Sequence, residues 1–224
     1  MSYIAENIRL LRSELPPSVK LVAVSKSKPA SDILTAYNAG QLCFGENRVQ
    51  ELLQKKEILP SDIEWHLIGH LQSNKVKYIV SFISMIESID SFRLLTVVND
   101  EASRIHRIVD CLLQIKIAEE ETKYGFSFGE INEMLESDEI RLMNAVRICG
   151  VMGMGTLTDD ERQTRTEFRL LANFFAALKN KYFVKNSDFS EISMGMSGDY
   201  KIALDEGTTM VRIGSLIFGK RFIS

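Results

Sequence analysis

The chain opens with apolar residues at helical spacing. Ile4, Ile8, Leu11 and Leu15 fall on one stripe, and Pro16-Pro17 stops the helix. A run of a different kind follows, Lys20-Leu21-Val22-Ala23-Val24-Ser25-Lys26, which reads as a fully buried strand ending in a cation. Pro29 suits the first turn of the next helix and Gly40 its C-terminal end. The alternation then repeats. Strands are predicted at Leu42–Phe44, Glu64–Ile68, Ser84–Glu87, Leu112–Ala118, Ile148–Met152, Ile192–Met194 and Met210–Ile213. Helices are predicted over Glu46–Lys56, Gln72–Val80 and Ser91–Ile108. Another opens at Thr158 as the N-cap of a capping box with Glu161, and carries Phe168, Leu171, Phe175, Leu178 and Tyr182 on one stripe.

Short strands alternating with helices imply a parallel sheet. About eight such units in 224 residues predict an α/β fold, a single closed (β/α)8 TIM-type barrel with an extra N-terminal helix. A doubly wound open sheet is the alternative. No linker or low-complexity tract divides the chain, so residues 1–224 are expected to form one domain.

Composition narrows the class. Hydrophobic residues make up 45% and charged residues 25%, as in ordinary globular proteins. With 27 basic and 30 acidic residues the net charge is −3, which advertises neither a nucleic-acid nor a membrane partner. Cys43, Cys111 and Cys149 are far apart and odd in number, which argues against a disulfide framework. The N-terminus lacks a signal-peptide profile, and the expected location is cytoplasmic.

A lysine at a strand end sits where α/β proteins place their chemistry, and a desolvated amine is a nucleophile toward aldehydes. Position alone favours a Lys26 that merely snorkels to solvent. Two segments near the other end of the chain change that balance. Ser193-Met194-Gly195-Met196-Ser197-Gly198-Asp199 places Ser197 as the expected N-cap of a helix ending near Gly207. Arg212-Ile213-Gly214-Ser215 offers a glycine that permits close backbone approach and a serine with N–H and hydroxyl. Either segment alone reads as a cap or a turn. Together, after the seventh and eighth strands, they read as a phosphate site on the rim that carries Lys26. A Schiff-base lysine beside a phosphate cradle points to a phosphorylated aldehyde, of which pyridoxal phosphate is the common example.

The ordered set of motifs resembles the pyridoxal-phosphate homeostasis proteins. It comprises Leu21–Lys26 with Lys28-Pro29, Phe44-Gly45-Glu46-Asn47 with Val49-Gln50-Glu51, Trp65–Gly69, Leu71–Lys75, Ser193–Asp199, and Val211–Ser215 with Ile217-Phe218-Gly219. The resemblance implies a fold-type III barrel like the N-terminal domain of alanine racemase, with no catalytic residues. It implies that Lys26 forms the internal Schiff base and that Ser197, Gly214 and Ser215 hold the phosphate. It further implies that Arg212 faces the pyridine nitrogen and that Asn47 lies near the cofactor. A guanidinium donates a hydrogen bond without releasing its proton, so the ring would stay unprotonated and be a poor electron sink. The implied function is intracellular pyridoxal phosphate homeostasis by a monomeric carrier that buffers the cofactor or delivers it to client enzymes. The alternatives are a fold-type III enzyme, such as an amino-acid racemase or a Schiff-base aldolase, and a barrel that binds no cofactor. Racemases carry a further β domain, for which no room is expected after Arg221.

Departures from the family pattern fall at predicted strand ends: His70 where proline is common, Lys116 where asparagine is common, and Gly153-Met154-Gly155. His66 and His70 are separated by Gly69, no third ligand has suitable spacing, and no metal site is expected. Glu119-Glu120-Glu121 reads as a solvated turn, and Lys123-Tyr124-Gly125 matches a family segment without a physical role. Trp65 and the nine methionines are expected to pack the core.

Overall fold

A computed structural model describes residues 2–118 and 124–219. Glu119–Glu121, Lys123 and Arg221, all named above, lie outside the described residues. Helix α1 (Tyr3–Glu14) buries Ile4, Ile8 and Leu11, the stripe that its spacing announced. Strands β1 (Lys20–Val24), β2 (Cys43–Glu46), β3 (Glu64–Leu67) and β4 (Met85–Ile89) form the first half of the sheet. Strands β5 (Val109–Ile115), β6 (Val146–Gly153), β7 (Glu191–Ser193) and β8 (Met210–Ile213) form the second. The strands pair in sequence order, all parallel, and β1 pairs with β8 to close the barrel. The closed sheet predicted from the alternation is the observed one, and the open sheet is excluded.

Helices α2 (Ala30–Asn38), α3 (Val49–Ile58) and α4 (Phe92–Arg104) cover the first half of the barrel. Between β3 and β4 the crossover is a single 3₁₀ segment, Ser73–Tyr78, rather than the α-helix expected there. Helices α5 (Phe128–Glu136) and α6 (Asp138–Arg141) precede β6, and α7 (Glu161–Tyr182) follows it. Helix α8 (Tyr200–Asp205) and the single turn α9 (Ser215–Phe218) complete the outer layer. The capping box predicted at Thr158 is not formed. Asp160 is the N-cap of α7, accepting from Arg162 N at 2.9 Å and Gln163 N at 3.4 Å. A carboxylate outcompetes a hydroxyl at a helix N-terminus because it adds charge to the hydrogen bond. A complete capping box occurs instead at Ser127 and Glu130, opening α5.

Two layers of core follow from the strand alternation. Outward positions such as Phe44, Trp65, Leu67 and Ile213 pack under the helices. Inside the barrel, Val22, Cys43, Met85, Leu112, Cys149, Met152 and Met210 form a separate apolar cluster. Five methionines are buried as expected, but Met154 and Met196 line a cavity at the barrel mouth. Burial of each large apolar side chain contributes ~1.5–3 kcal/mol.

A bulge in β6 sets the geometry of the interior. Cys111 pairs with Ile148, but Leu112 pairs with Gly150, so Cys149 is the extra residue. Gly150 has φ +156°, and a Cβ there would meet Glu191 O at 1.8 Å. Gly150→Ala is therefore expected to destabilise the barrel by about 3 kcal/mol. Thermal unfolding checks this, with Gly129→Ala as the comparison, since a Cβ at Gly129 meets nothing within 4 Å.

Candidate functional site

A cavity of about 520 Å³ opens at the C-terminal ends of the strands. Lys26, Asn47, Ser197, Arg212, Gly214 and Ser215 all line it, so every site residue predicted from the sequence comes to one place. Closure of β1 on β8 brings the first of these beside the last three, with Ala23 opposite Ile213 in register.

Lys26 does not end a strand as predicted. Strand β1 stops at Val24, and Lys26 lies in a tight turn closed by Lys28 N–H donating to Ser25 O at 3.0 Å. Ser27 takes φ +62°, which costs a β-carbon residue roughly 1 kcal/mol. Helix α3 holds this turn in place. Ser27 N–H donates to Glu51 Oε1 at 2.6 Å, and Lys55 Nζ donates to Ser25 O at 2.8 Å. Lys55 also pairs with Glu46 at 2.7 Å and Glu51 at 2.6 Å, and the Ser25 hydroxyl donates to Glu46. Burial pushes the Glu46 carboxyl up, against the hydrogen bond and charge of Lys55. This network was not read from the sequence. Its signal was present: Lys55 shares the buried face of α3 with Val49 and Leu52, where a charge needs a partner.

On the opposite side of the cavity the predicted capping role of Ser197 is not observed. The N-cap of α8 is Asp199, whose carboxylate accepts from Met196 N–H. The Ser197 hydroxyl instead accepts from Gly214 N–H at 3.2 Å, tying the loop after β7 to the loop after β8. A hydroxyl that accepts one hydrogen bond still has its own proton to donate. A Cβ at Gly214 would lie 3.2 Å from Val24 O, so a side chain would crowd β1 just below Lys26. Ser215 begins α9, whose last carbonyls are capped by Lys28 Nζ, 2.8 Å from Phe218 O and 3.2 Å from Gly219 O. Asn7 and Tyr3 of α1 reach the same turn, at 3.1 Å to Ile217 O and 3.3 Å to Phe218 O. The extra N-terminal helix thus braces the turn that carries Ser215.

Arg212 is buried. Its guanidinium donates to Ser193 Oγ at 2.6 Å and to Gly153 O at 2.9 Å, and stands 3.8 Å from Glu87. A guanidinium has five N–H donors, so others remain for a group in the cavity. Glu87 accepts from Ser193 at 2.6 Å and pairs with His66 Nδ1 at 2.7 Å. Burial opposes its charge, but His66 and Arg212 together hold the Glu87 carboxyl below its usual range. Burial also opposes the charge on His66; Cys43 and Glu87 more than offset this and bring its pKa up to about 10. The partners of His66 are therefore Glu87 and Cys43. His70, four residues on, turns to the rim, pairs with Asp90 at 2.8 Å and stacks on Tyr124 at 4.0 Å. Among the described residues Cys43, Glu64 and His66 are a group with metal-ligand atoms within 4.8 Å of one another, a juxtaposition that sequence spacing did not reveal. Lys116 follows β5, where its N–H donates to Phe126 O at 3.0 Å.

The model of the alanine racemase N-terminal domain family matches residues 1–221. A pyridoxal phosphate homeostasis protein of Synechocystis sp. is 38% identical over 92% of this chain and 94% of its own length. That of Schizosaccharomyces pombe is 35% identical over 99% of this chain and 94% of its own. The chain belongs to the pyridoxal phosphate homeostasis protein family. Among solved structures, PipY of Synechococcus elongatus with pyridoxal phosphate bound is 37% identical with a TM-score of 0.88, covering 96% of this chain and 100% of that one. Alanine racemase of Clostridium difficile, 13% identical with a TM-score of 0.72, covers 99% of this chain and 56% of that one and shares the fold alone. Among the described residues no helix is long and apolar enough to cross a membrane.

The His66–Glu87 pair has a stability consequence. The folded-state pKa of His66, about 10, lies above the ordinary 6.5, so its contribution is complete below pH 6.5 and is lost as pH rises towards 10. The melting temperature is expected to fall across that window. His66→Gln should flatten this part of the profile, as measured by thermal denaturation against pH.

Proposed function

We propose that this protein binds pyridoxal phosphate in the cavity at the C-terminal rim of the barrel and buffers or delivers it to other proteins. The observation that carries this reading is the convergence of Lys26, Ser197, Gly214, Ser215 and Arg212 on one cavity. Its volume, about 520 Å³, falls in the range of small-ligand sites. Family membership and the cofactor-bound PipY structure support the same ligand.

When bound, the cofactor supplies an aldehyde that condenses with an amine. Lys26 is the covalent anchor in this reading, held at the cavity edge by a turn pinned to α3. The Ser197 and Ser215 hydroxyls and the Ser215 N–H receive the phosphate, and Gly214 keeps the space between them free of a side chain. Arg212 donates to the ring nitrogen without giving up a proton. Asn47, half-buried beside Gly69, lines the same wall, where Gly69 allows close approach: a Cβ there would meet Asn47 O at 2.6 Å.

Carriage is favoured over turnover. A guanidinium donating to the ring nitrogen would disfavour the protonated ring that stabilises carbanions, and the relatives above are named for homeostasis. Borohydride reduction of the loaded protein and peptide mass spectrometry should find the phosphopyridoxyl group on Lys26. An adduct on another lysine would refute the anchor. Lys26→Ala should abolish the visible absorbance of the loaded protein. Ser197→Ala and Ser215→Ala should each weaken cofactor retention about tenfold, the loss of one hydrogen bond to a charged group, measured by equilibrium dialysis. Loaded protein given L-alanine should form no D-alanine; robust turnover would overturn the carrier reading.

A further inference from the structure

The N-terminal end of the barrel carries its own group of chemically active side chains, away from the cofactor cavity. Cys43 and Glu64 are cross-strand partners on β2 and β3, and His66 follows Glu64 by two residues. Strand alternation puts all three on the inner face. Their ligand atoms lie within 4.8 Å of one another. Cys43 and His66 are buried, and the Glu64 side chain is half-exposed. The neighbouring groups hold two of these donors in place. Glu87 takes His66 Nδ1 at 2.7 Å, which leaves Nε2 for the group. A carboxylate behind a histidine fixes the tautomer and the ring orientation, as behind most metal-ligating histidines. Gln41, itself buried, donates to Cys43 O at 2.6 Å and Leu21 O at 2.7 Å, and so fixes the backbone that carries the thiol. The Glu64 carboxylate meets Lys20 at 3.9 Å, a loose surface pair that leaves it able to turn. A cavity of about 460 Å³ at this end of the barrel reaches both Cys43 and Glu64 and gives an entry path.

We propose that Cys43, Glu64 and His66 bind a zinc ion at the bottom of the barrel, with water as the fourth ligand. The donor set selects the metal. A thiolate, an imidazole and a carboxylate suit zinc, whereas magnesium and calcium take oxygen ligands. Ligand atoms around a tetrahedral zinc lie roughly 3.3–3.8 Å apart, given its bond lengths. A small closing movement therefore completes the site, and the half-exposed Glu64 is the member free to make it. The charges also balance. Thiolate and carboxylate together cancel the dication, so the ion adds no net charge beside the apolar plug of Val22, Met85 and Met210. Uptake releases the protons of the thiol and of Nε2 to solvent. Sequence spacing offers His66 no third ligand; the thiol comes from β2, one strand over. The N-terminal face of such barrels serves stability rather than chemistry. The ion accordingly clamps β2 to β3 and takes no part in holding the cofactor.

The test uses the full-length protein, stripped with a chelator and titrated with zinc at fixed pH. Competition against a chromophoric chelator should show one zinc per chain, and zinc but not magnesium should raise the melting temperature. Cobalt in place of zinc reports the ligands. A thiolate-to-cobalt charge-transfer band is expected, together with the strong visible bands of a tetrahedral ion. Cys43→Ser should lose the charge-transfer band and bind zinc at least about 100-fold more weakly, since a lost ligand costs more than a lost outer partner. Glu87→Gln, which removes that outer partner, should weaken zinc binding by about 10- to 100-fold. Cys149→Ala, a thiol of the same plug, should keep the band. A band or a zinc affinity unchanged in Cys43→Ser overturns the proposal. Loss of binding in His70→Ala also overturns it, because the ion would then sit at the opposite rim with His70 and Asp90. If Cys43→Ser does not fold, the wild-type protein decides: cobalt bound without a thiolate band, or no zinc uptake, overturns the site. None of these outcomes touches the reading of the cofactor cavity, which the Lys26 adduct tests separately.

Discussion

Everything at the barrel mouth depends on the hydrogen bonds between β1 and β8. This pairing joins the two ends of a parallel sheet and removes its edges. It also sets the chemistry, because it brings Lys26, just beyond β1, against Arg212, Gly214 and Ser215 at the end of β8. The register leaves little freedom. A slip of one residue would turn Arg212 out of the barrel and present Ile213 to the cavity. The contacts of Gly214 with β1 enforce the same fit, since a side chain there would press on Val24.

Around that seam the protein spends stability on buried charge. One network lies outside the sheet, where Lys55, Glu46, Glu51 and Ser25 pin the turn that carries Lys26. The other lies inside it, from His66 through Glu87 and Ser193 to Arg212. Buried ion pairs contribute little net stability, while removing one partner costs about 3–5 kcal/mol. Such groups serve placement better than stability: the first network pins the residues on either side of Lys26, and the second ends on Arg212 of the cavity. Among the described residues Glu46 Oε2 is a buried side-chain oxygen with no hydrogen-bond partner, in line with burial pushing this carboxyl up.

The order of helices and strands was legible along the chain because each amphipathic period reports a local rule. The stripe of α1 follows from which side of the helix must be buried, and the apolar run of β1 from burial on both faces of the strand. Local capping was less legible. Thr158 and Ser197 both have the residue type of an N-cap, yet Asp160 and Asp199 take those positions. Several polar residues compete at each helix start, and the outcome depends on where the preceding strand delivers the chain. Ser197 is drawn away by the backbone of Gly214, a partner from the next strand. The end of β1 was misjudged for a similar reason: the carboxylate and amine that turn the chain at Ser25 come from α3.

By itself, the sequence determined the parallel barrel and the extra helix, and it marked Lys26, Ser197, Gly214 and Ser215 for the mouth, while Asn47 and the role of Arg212 came from the family resemblance. Each of these follows from short-range periodicity, or from a motif whose chemistry is carried by its own few residues. Only the tertiary structure decided how the residues are held and charged. It set Lys26 in a pinned turn, gave Ser197 to Gly214, and put His66 and Glu87 beneath Arg212. The physical reason is that charge and hydrogen-bond partnership in a buried layer depend on distances across the barrel. Those distances are fixed by closure and register, and no spacing along the chain encodes them.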